Sequence, residues 1–227
     1  MIVLYDHSAV EIINKLVFKE IMLKRLIAQQ FRRPSGLLGH YAANFMKKNN
    51  QDYYAHVCDR LNLKDNDTVL EIGCGAGYAI QLITEKNTQC KVDALDFSPM
   101  MLKKAVKNNR NQISTGRVQF FMGDFGDYNF GDVVYSKIFA INVIYFWNDL
   151  SSKFSKIYSL LETGGRLILF MSSPERLQKI PFAIDGVFNK YTVAQVENDL
   201  SGAGFIKVNH ERVVKNETDT FYICADK

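Results

Sequence analysis

The segment that most constrains this chain is Val69-Leu70-Glu71-Ile72-Gly73-Cys74-Gly75-Ala76-Gly77-Tyr78. A short apolar run, residues 68–72, enters a turn with glycine at every second position. Glycine lacks a Cβ, so the chain can bend sharply there and leave bare backbone for a ligand to lie against. Helical patterning then continues to about residue 84. A strand feeding a helix through such a turn starts a crossover unit. Open α/β sheets bind ligands at the carboxyl ends of their strands.

The alternation continues downstream. Residues 91–95, 118–122, 137–141 and 166–171 read as strands, the last following the Gly164-Gly165 turn, and residues 99–108 and 150–161 as helices. Strands separated by helices pair in parallel through crossovers, which predicts an α/β sheet covered on both faces. The tail breaks this rhythm. A helix over 192–201, with Thr192 as N-cap, ends at Gly202 and Gly204. Strands over 205–212 and 220–225 follow, joined by Lys215-Asn216-Glu217-Thr218. That connection is too short for a crossover helix and predicts an antiparallel hairpin.

Ahead of the sheet, residues 8–31 are rich in Ile, Leu, Val and Phe, but Glu11, Lys15, Lys19, Glu20, Lys24 and Arg25 interrupt them. Neither a membrane span nor a signal peptide tolerates that spacing of charge. The segment reads as one long amphipathic helix, broken at Pro34-Ser35-Gly36, with helical stretches resuming over 37–46 and 52–61. The four cysteines, Cys58, Cys74, Cys90 and Cys224, form neither a CxxC pair nor a zinc-type cluster. A cytoplasmic protein without a metal site is expected. A net charge of +4 is a mild excess, and no nucleic-acid partner is expected.

The residues around the glycine turn narrow its ligand. A dinucleotide fingerprint places its third glycine where Tyr78 stands, and no phosphate-loop Lys-Ser/Thr follows. Glu71 repels a pyrophosphate but suits a cation. Asp96 closes the second strand, where an acid can accept from both ribose hydroxyls. Gly123-Asp124-Phe125 closes the third, where Asp124 can accept from an adenine amine. S-adenosylmethionine, with a sulfonium and an ammonium and no phosphate, fits this set. Each residue also has a plainer reading. Glu71 can be a surface acid, Asp96 a cap for the helix at Pro99, Asp124 a turn residue, and Phe97 and Met101 core.

These motifs resemble the class I S-adenosylmethionine-dependent methyltransferases, in particular the small-molecule branch with ubiquinone- and menaquinone-type enzymes. The resemblance runs from about Asp52 to the C-terminus. It rests on Glu71-x-Gly73-x-Gly75-x-Gly77, Asp96-Phe97-Ser98-Pro99-Met100-Met101, Gly123-Asp124-Phe125, the 142–149 segment, Leu161-Glu162-Thr163-Gly164-Gly165-Arg166-Leu167, and Leu200 to Phe205. It departs at Ser136-Lys137, where many members carry Asp, and at Thr163, where Pro is common. The resemblance implies a doubly wound, mostly parallel seven-stranded sheet of order 3-2-1-4-5-7-6, last strand antiparallel. It places a Rossmann-like domain over 52–227, with residues 1–51 as an N-terminal helical lid. The cofactor-binding set it implies is Glu71, Gly73, Cys74, Gly75, Gly77, Asp96, Phe97, Met101, Gly123, Asp124, Phe125 and Asn142.

Transfer from a sulfonium to an O, N or C nucleophile is an in-line displacement, so holding the partners close and collinear does most of the work. No general base stands out. His7 and His210 read as peripheral and His56 as preceding the sheet, while Tyr145, His40 and Tyr41 are the candidates near the methyl. Asn142 is followed by Val143, not proline, against amino methylation of DNA bases. A small molecule, a lipid or quinone, or a peptide-derived metabolite remains as acceptor. Peripheral membrane contact through the N-terminal helix and oligomeric state are left open. The alternatives to an enzyme of this kind are a non-catalytic cofactor-binding sensor or scaffold of the same fold, and an NAD-binding reductase.

Overall fold

Within residues 166–172, Leu167, Leu169 and Met171 belong to one apolar cluster, and Ile168 and Phe170 to another. Successive side chains of a strand point to opposite faces, so this strand is buried on both sides and needs helices on each. The computed structural model, which describes residues 7–86, 89–215 and 218–227, has that architecture. Helices α1 (His7–Arg32) and α2 (Gly36–Arg60) come first. Then follow β1 (Thr68–Ile72), α3 (Tyr78–Glu85), β2 (Lys91–Asp96), α4 (Pro99–Asn108), α5 (Arg110–Ser114) and β3 (Val118–Met122). The second half holds β4 (Tyr135–Ile141), a 3-10 turn (Ile144–Phe146), α6 (Leu150–Leu160), β5 (Leu161–Ser172), α7 (Pro174–Gln178), α8 (Val193–Gly202), β6 (Ile206–Lys215) and β7 (Thr218–Asp226).

The seven-stranded sheet has the order β3-β2-β1-β4-β5-β7-β6. Strands β1 to β5 pair in parallel, and β7 runs antiparallel to both β5 and β6, as expected. The winding reverses between β1 and β4, which opens a crevice at their carboxyl ends. Thr192 caps α8 in a reciprocal box with Gln195. Ser136, one of the positions where the sequence departs from the pattern it resembles, donates to Asp67 Oδ1 at 2.7 Å and accepts from the Thr68 amide, tying β4 to the entry of β1.

The structure corrects some boundaries. Residues 37–46 and 52–61 are one continuous α2, because Lys47, Lys48, Asn49, Gln51 and Asp52 are exposed helix positions while Asn50 between them turns inward. Its inner face continues unbroken through Met46, Asn50, Tyr53, Val57 and Cys58, and the Tyr53 ring stacks on Phe170 at 4.1 Å. Strand β5 starts at Leu161, five residues early, since Leu161 pairs with Tyr135 across an irregularity before the Gly164-Gly165 turn. Of the predicted hairpin turn, Asn216 and Glu217 lie outside the described residues.

Helix α1 lies along α2, and the α1–α2 junction is anchored to the sheet. Ser98, fully buried, donates to the Pro34 carbonyl at 2.8 Å and accepts from the Met101 amide as N-cap of α4. Further out on α1, Leu16, Phe18, Leu23 and Leu26 are exposed. Among the described residues, no helix is long and apolar enough to cross a membrane.

Candidate functional site

The glycine turn is folded back on β2. The Gly73 and Cys74 amides both donate to the Leu95 carbonyl, at 2.8 and 3.1 Å, and the Gly75 amide donates to Asp96 Oδ2 at 2.8 Å. Gly73 has φ +72°, and a Cβ there would meet Val143 Cγ2 at 2.5 Å. Only glycine lets β1 and the segment after β4 approach so closely. The bared backbone faces a cleft lined by Glu71, Gly73, Cys74, Gly75, Asp96, Phe97, Met101 and Asn142. A smaller recess next to it is bounded by Asp96, Phe97, Gly123, Asp124 and Phe125. The structure thus gathers eleven of the twelve cofactor residues that the sequence singled out. Gly77 faces elsewhere: it is the N-cap of α3 at φ +72° and packs against Ala105 of α4 and Asn109 at that helix's C-cap.

Two acids, Glu71 and Asp96, stand in the cleft, with Arg32 and Lys47 also in its lining. Glu71 is 2% exposed, and its Oε2 has no hydrogen-bond partner. Burial, and then the neighbouring Asp96 charge, push the Glu71 carboxyl well above its ordinary range. Burial also raises Asp96, against the pull of the Ser98, Gly75 and Phe97 amides. Each Asp96 oxygen already accepts one backbone N–H, from Ser98 at 2.8 Å and from Gly75, and each keeps a lone pair for a ligand hydroxyl. A buried, unpartnered carboxylate beside a second acid suits a cation and rejects a diphosphate, so these residues fit S-adenosylmethionine. Asp124 is exposed, and its Oδ1 accepts from the Gly126 amide at 2.8 Å. Phe125 is buried against Trp147.

A second cavity, of about 300 Å³, opens beside the cleft. The two share Phe31, Met46, Asn50, Asn142 and Phe146 as a common rim. Its walls are aromatic: Phe31 of α1 stacks on Phe182 at 3.9 Å, and Phe45 of α2 meets both edge-on. Asn142 takes φ +57° at the end of β4; its Nδ2 donates to Asn50 Oδ1 at 3.3 Å, and its Oδ1 accepts from the Tyr145 hydroxyl at 3.1 Å. Tyr145 also accepts from the Ser172 amide. Burial pushes its phenol up to about 12. With both its hydrogen bonds committed to the rim, Tyr145 orients Asn142 and stays protonated near neutral pH.

The other two candidates lie apart. Tyr41 is 71% exposed, and His40 sits on the surface with Nδ1 3.3 Å from Met100 Sδ. His210 contacts Glu197 at 2.7 Å and His56 lies near Tyr222 on the far side of α2, while the His7 side chain is outside the described ones. The sequence reading missed Phe31, Arg32, Met46 and Asn50 of the N-terminal helices, and the 172–188 segment that closes the apolar cavity. That segment leaves the carboxyl end of β5, where the fold places ligands, and this was the signal available. Among the described residues no group of three or more His, Cys, Asp or Glu is placed to hold a metal ion.

Residues 63–214 match the family model described as "Methyltransferase domain". The chain belongs to that family. Family, sheet order and the acid-flanked glycine turn together make it a class I S-adenosylmethionine-dependent methyltransferase. Among its relatives is the uncharacterised methyltransferase YdaC of Bacillus subtilis, 24% identical over 190 residues, covering 81% of this chain and 95% of the relative. Malonyl-[acyl-carrier protein] O-methyltransferase 1 of Ilyobacter polytropus is 29% identical over 153 residues, 65% of this chain and 52% of that relative. The fold is also that of Haemonchus contortus phosphoethanolamine N-methyltransferase 2, solved with S-adenosyl-L-methionine. There the TM-score is 0.66 at 16% identity, over 78% of this chain and 52% of that one. The methyltransferase therefore spans about half the length of these last two relatives, and 95% of YdaC.

Proposed function

We propose that this methyltransferase transfers the methyl of S-adenosylmethionine to a small, largely apolar acceptor seated in the aromatic cavity. The observation that carries this reading is the shared rim. One recess is glycine-floored and holds two acids, the other is apolar, and they meet at Asn142 and Phe146. In this reading Glu71 and Asp96 hold the cationic and ribose portions of the donor, while Gly123, Asp124 and Phe125 border its adenine. S-adenosylmethionine supplies a methyl already activated by its sulfonium. The protein's share is positioning, for which near-attack alignment contributes roughly 7–11 kcal/mol, and exclusion of water by Phe31, Phe45 and Phe182.

Residues 1–51 act as the lid in this proposal, because Phe31, Arg32, Pro34, Ala43, Met46 and Asn50 complete the cleft from above. The outer surface of α1 supports a second role. Exposed Leu16, Phe18, Leu23 and Leu26 stand beside Lys19 and Arg25, with Lys15 and Lys24 paired to Glu11 and Glu20, an amphipathic surface that suits a lipid interface.

Calorimetry with S-adenosylmethionine and its demethylated product tests the donor site, and methyl transfer from labelled donor to a cell extract tests catalysis. No heat with either compound, together with an isotherm for NAD, would overturn the reading. Co-sedimentation with phosphatidylserine vesicles tests α1; equal pelleting of wild type and a Phe18→Ser, Leu23→Ser, Leu26→Ser variant would remove the lipid role.

A further inference from the structure

S-adenosylmethionine is a zwitterion at its amino-acid end. Its ammonium suits Glu71, but the same acid repels the carboxylate beside that ammonium. Arg32 and Lys47 bring positive charge to the cleft from different sides. Arg32 also borders the recess of Gly123, Asp124 and Phe125. Lys47 borders a side pocket together with Tyr54 and Tyr78, and all three also line the cleft that holds Glu71. Lys47, Asn50 and Tyr54 share one face of α2, at i, i+3 and i+7. Their platform is Tyr78, which stands where a dinucleotide fingerprint has its third glycine. The Lys47 ammonium lies 4.6 Å from the centre of the Tyr78 ring, and the Tyr54 ring rests against Tyr78 at 6.1 Å. The sense of hydrogen bonding along the rim leaves Tyr54 with a proton to give. The Ser172 amide donates to the Tyr145 hydroxyl, Tyr145 to Asn142 Oδ1, and Asn142 Nδ2 to Asn50 Oδ1. Asn50 thereby turns its amide nitrogen to Tyr54, one turn on; burial raises that phenol, and the Asn50 amide pulls it down by less. Tyr54 stays protonated at neutral pH and, accepting from Asn50, keeps its own O–H for a partner near Glu71.

We infer that Lys47 and Tyr54 bind the carboxylate of S-adenosylmethionine while Glu71 binds its ammonium, so that the methyl donor itself fastens helix α2 over the cleft. This rests on the reading that the glycine-floored cleft receives S-adenosylmethionine. Lys47, exposed at the mouth, supplies charge, and Tyr54, further in, supplies a directed O–H; both are charge-assisted contacts to a carboxylate. Asn50 is a positioning residue, acting through the hydroxyl it orients. The consequence is a specificity that the two acids alone cannot produce. A ligand stripped of its carboxylate carries one more unit of positive charge, and Glu71 and Asp96 by themselves would hold it at least as tightly as the intact compound. A carboxylate subsite reverses that order.

Calorimetry with S-adenosylmethionine and with its decarboxylated form, which keeps the sulfonium, the ammonium and the nucleoside, separates the possibilities. The wild type is expected to bind the intact compound about tenfold or more tighter, the ordinary worth of a hydrogen bond to a charged group. Tyr54→Phe is expected to weaken the intact compound about tenfold, and Lys47→Gln by a smaller factor because its charge is exposed. Neither should weaken the decarboxylated form. Asn50→Leu should shrink the ratio of the two affinities as Tyr54→Phe does, whereas a merely structural part for Asn50 would weaken both ligands alike. The wild-type comparison decides alone if a variant does not fold. Binding of the decarboxylated form as tightly as the intact compound overturns the inference and leaves the donor site standing. So does an unchanged ratio in both Tyr54→Phe and Lys47→Gln. Binding of neither compound removes the donor site itself, and the inference with it.

Discussion

Glu71→Gln is the most informative single change, because it separates what the acid does for the fold from what it does for the ligand. In the unliganded protein Glu71 is 2% exposed and its Oε2 is unpartnered. The folded state therefore holds the proton more tightly than the unfolded chain does. Stability from this group is full below the ordinary value of 4.5 and is lost as pH rises through the higher folded-state value. The isosteric amide removes the charge but still leaves a buried polar group. The gain is the charged group's excess, about 1–3 kcal/mol at neutral pH. At roughly 2–4 °C per kcal/mol for a chain of this size, Tm of the unliganded variant should rise by about 2–12 °C at pH 7.5. The gap should close toward pH 4.5 and below, where other carboxylates titrate alike in both proteins. Donor binding should move the opposite way, by roughly 10–100-fold, the loss of one charge-assisted contact. Scanning calorimetry from pH 4 to 8 and titration with S-adenosylmethionine read both effects. A variant less stable than wild type at pH 7.5, or equal affinity for the donor, would refute an uncompensated carboxylate aimed at a cation.

The other expectations concern packing and the rim. Gly77→Ala forces a Cβ to 2.6 Å from Asn109 Nδ2 in a left-handed turn, so thermal unfolding should show a loss of about 2–4 kcal/mol. Ser98→Ala removes the cap of α4 and the partner of the Pro34 carbonyl; it should cost about 1–2 kcal/mol and increase proteolysis in α1, read by timed digestion. Phe182→Ala opens the acceptor cavity but not the donor cleft. Acceptor KM should rise about tenfold with donor affinity unchanged. Tyr145→Phe leaves Asn142 Oδ1 without its donor and the Ser172 amide without its acceptor, so steady-state kinetics should show turnover falling more than donor affinity.

The convergence of residues on the glycine-floored cleft was legible because they are adjacent in sequence to the strand ends that place them. Glu71 to Gly75 leave β1, Asp96 and Phe97 leave β2, and Gly123 to Phe125 leave β3, so strand rhythm and local composition predict their convergence. The one residue of that set turned away, Gly77, carries a signal identical to its neighbours'. A glycine required by helix packing and one required by a ligand look alike along the chain, and only Asn109 and Ala105, nearly thirty residues on, distinguish them. The α2 boundary failed for a related reason. Lys47, Lys48, Asn49 and Gln51 form a polar run that sequence patterning reads as a gap.

The aromatic cavity was illegible because no element makes it alone. Phe31, Phe45 and Phe182 come from α1, α2 and the segment after α7, and in sequence each is one aromatic among apolar neighbours. Their clustering depends on two tertiary ties. Ser98 holds the α1–α2 junction over the strand ends, and the Asn189 amide donates to the Tyr145 carbonyl at 2.8 Å, closing the 179–191 segment onto the rim. On the proposed reading, specificity resides where the sequence signal is weakest. The glycine-floored cleft proposed for the donor is fixed by backbone turns that tolerate little change, whereas the aromatic wall proposed for the acceptor is built from side chains on three separate elements. Phe182 and Arg176 can be exchanged without disturbing a glycine of the donor cleft, so substitution there should alter acceptor choice while donor affinity holds.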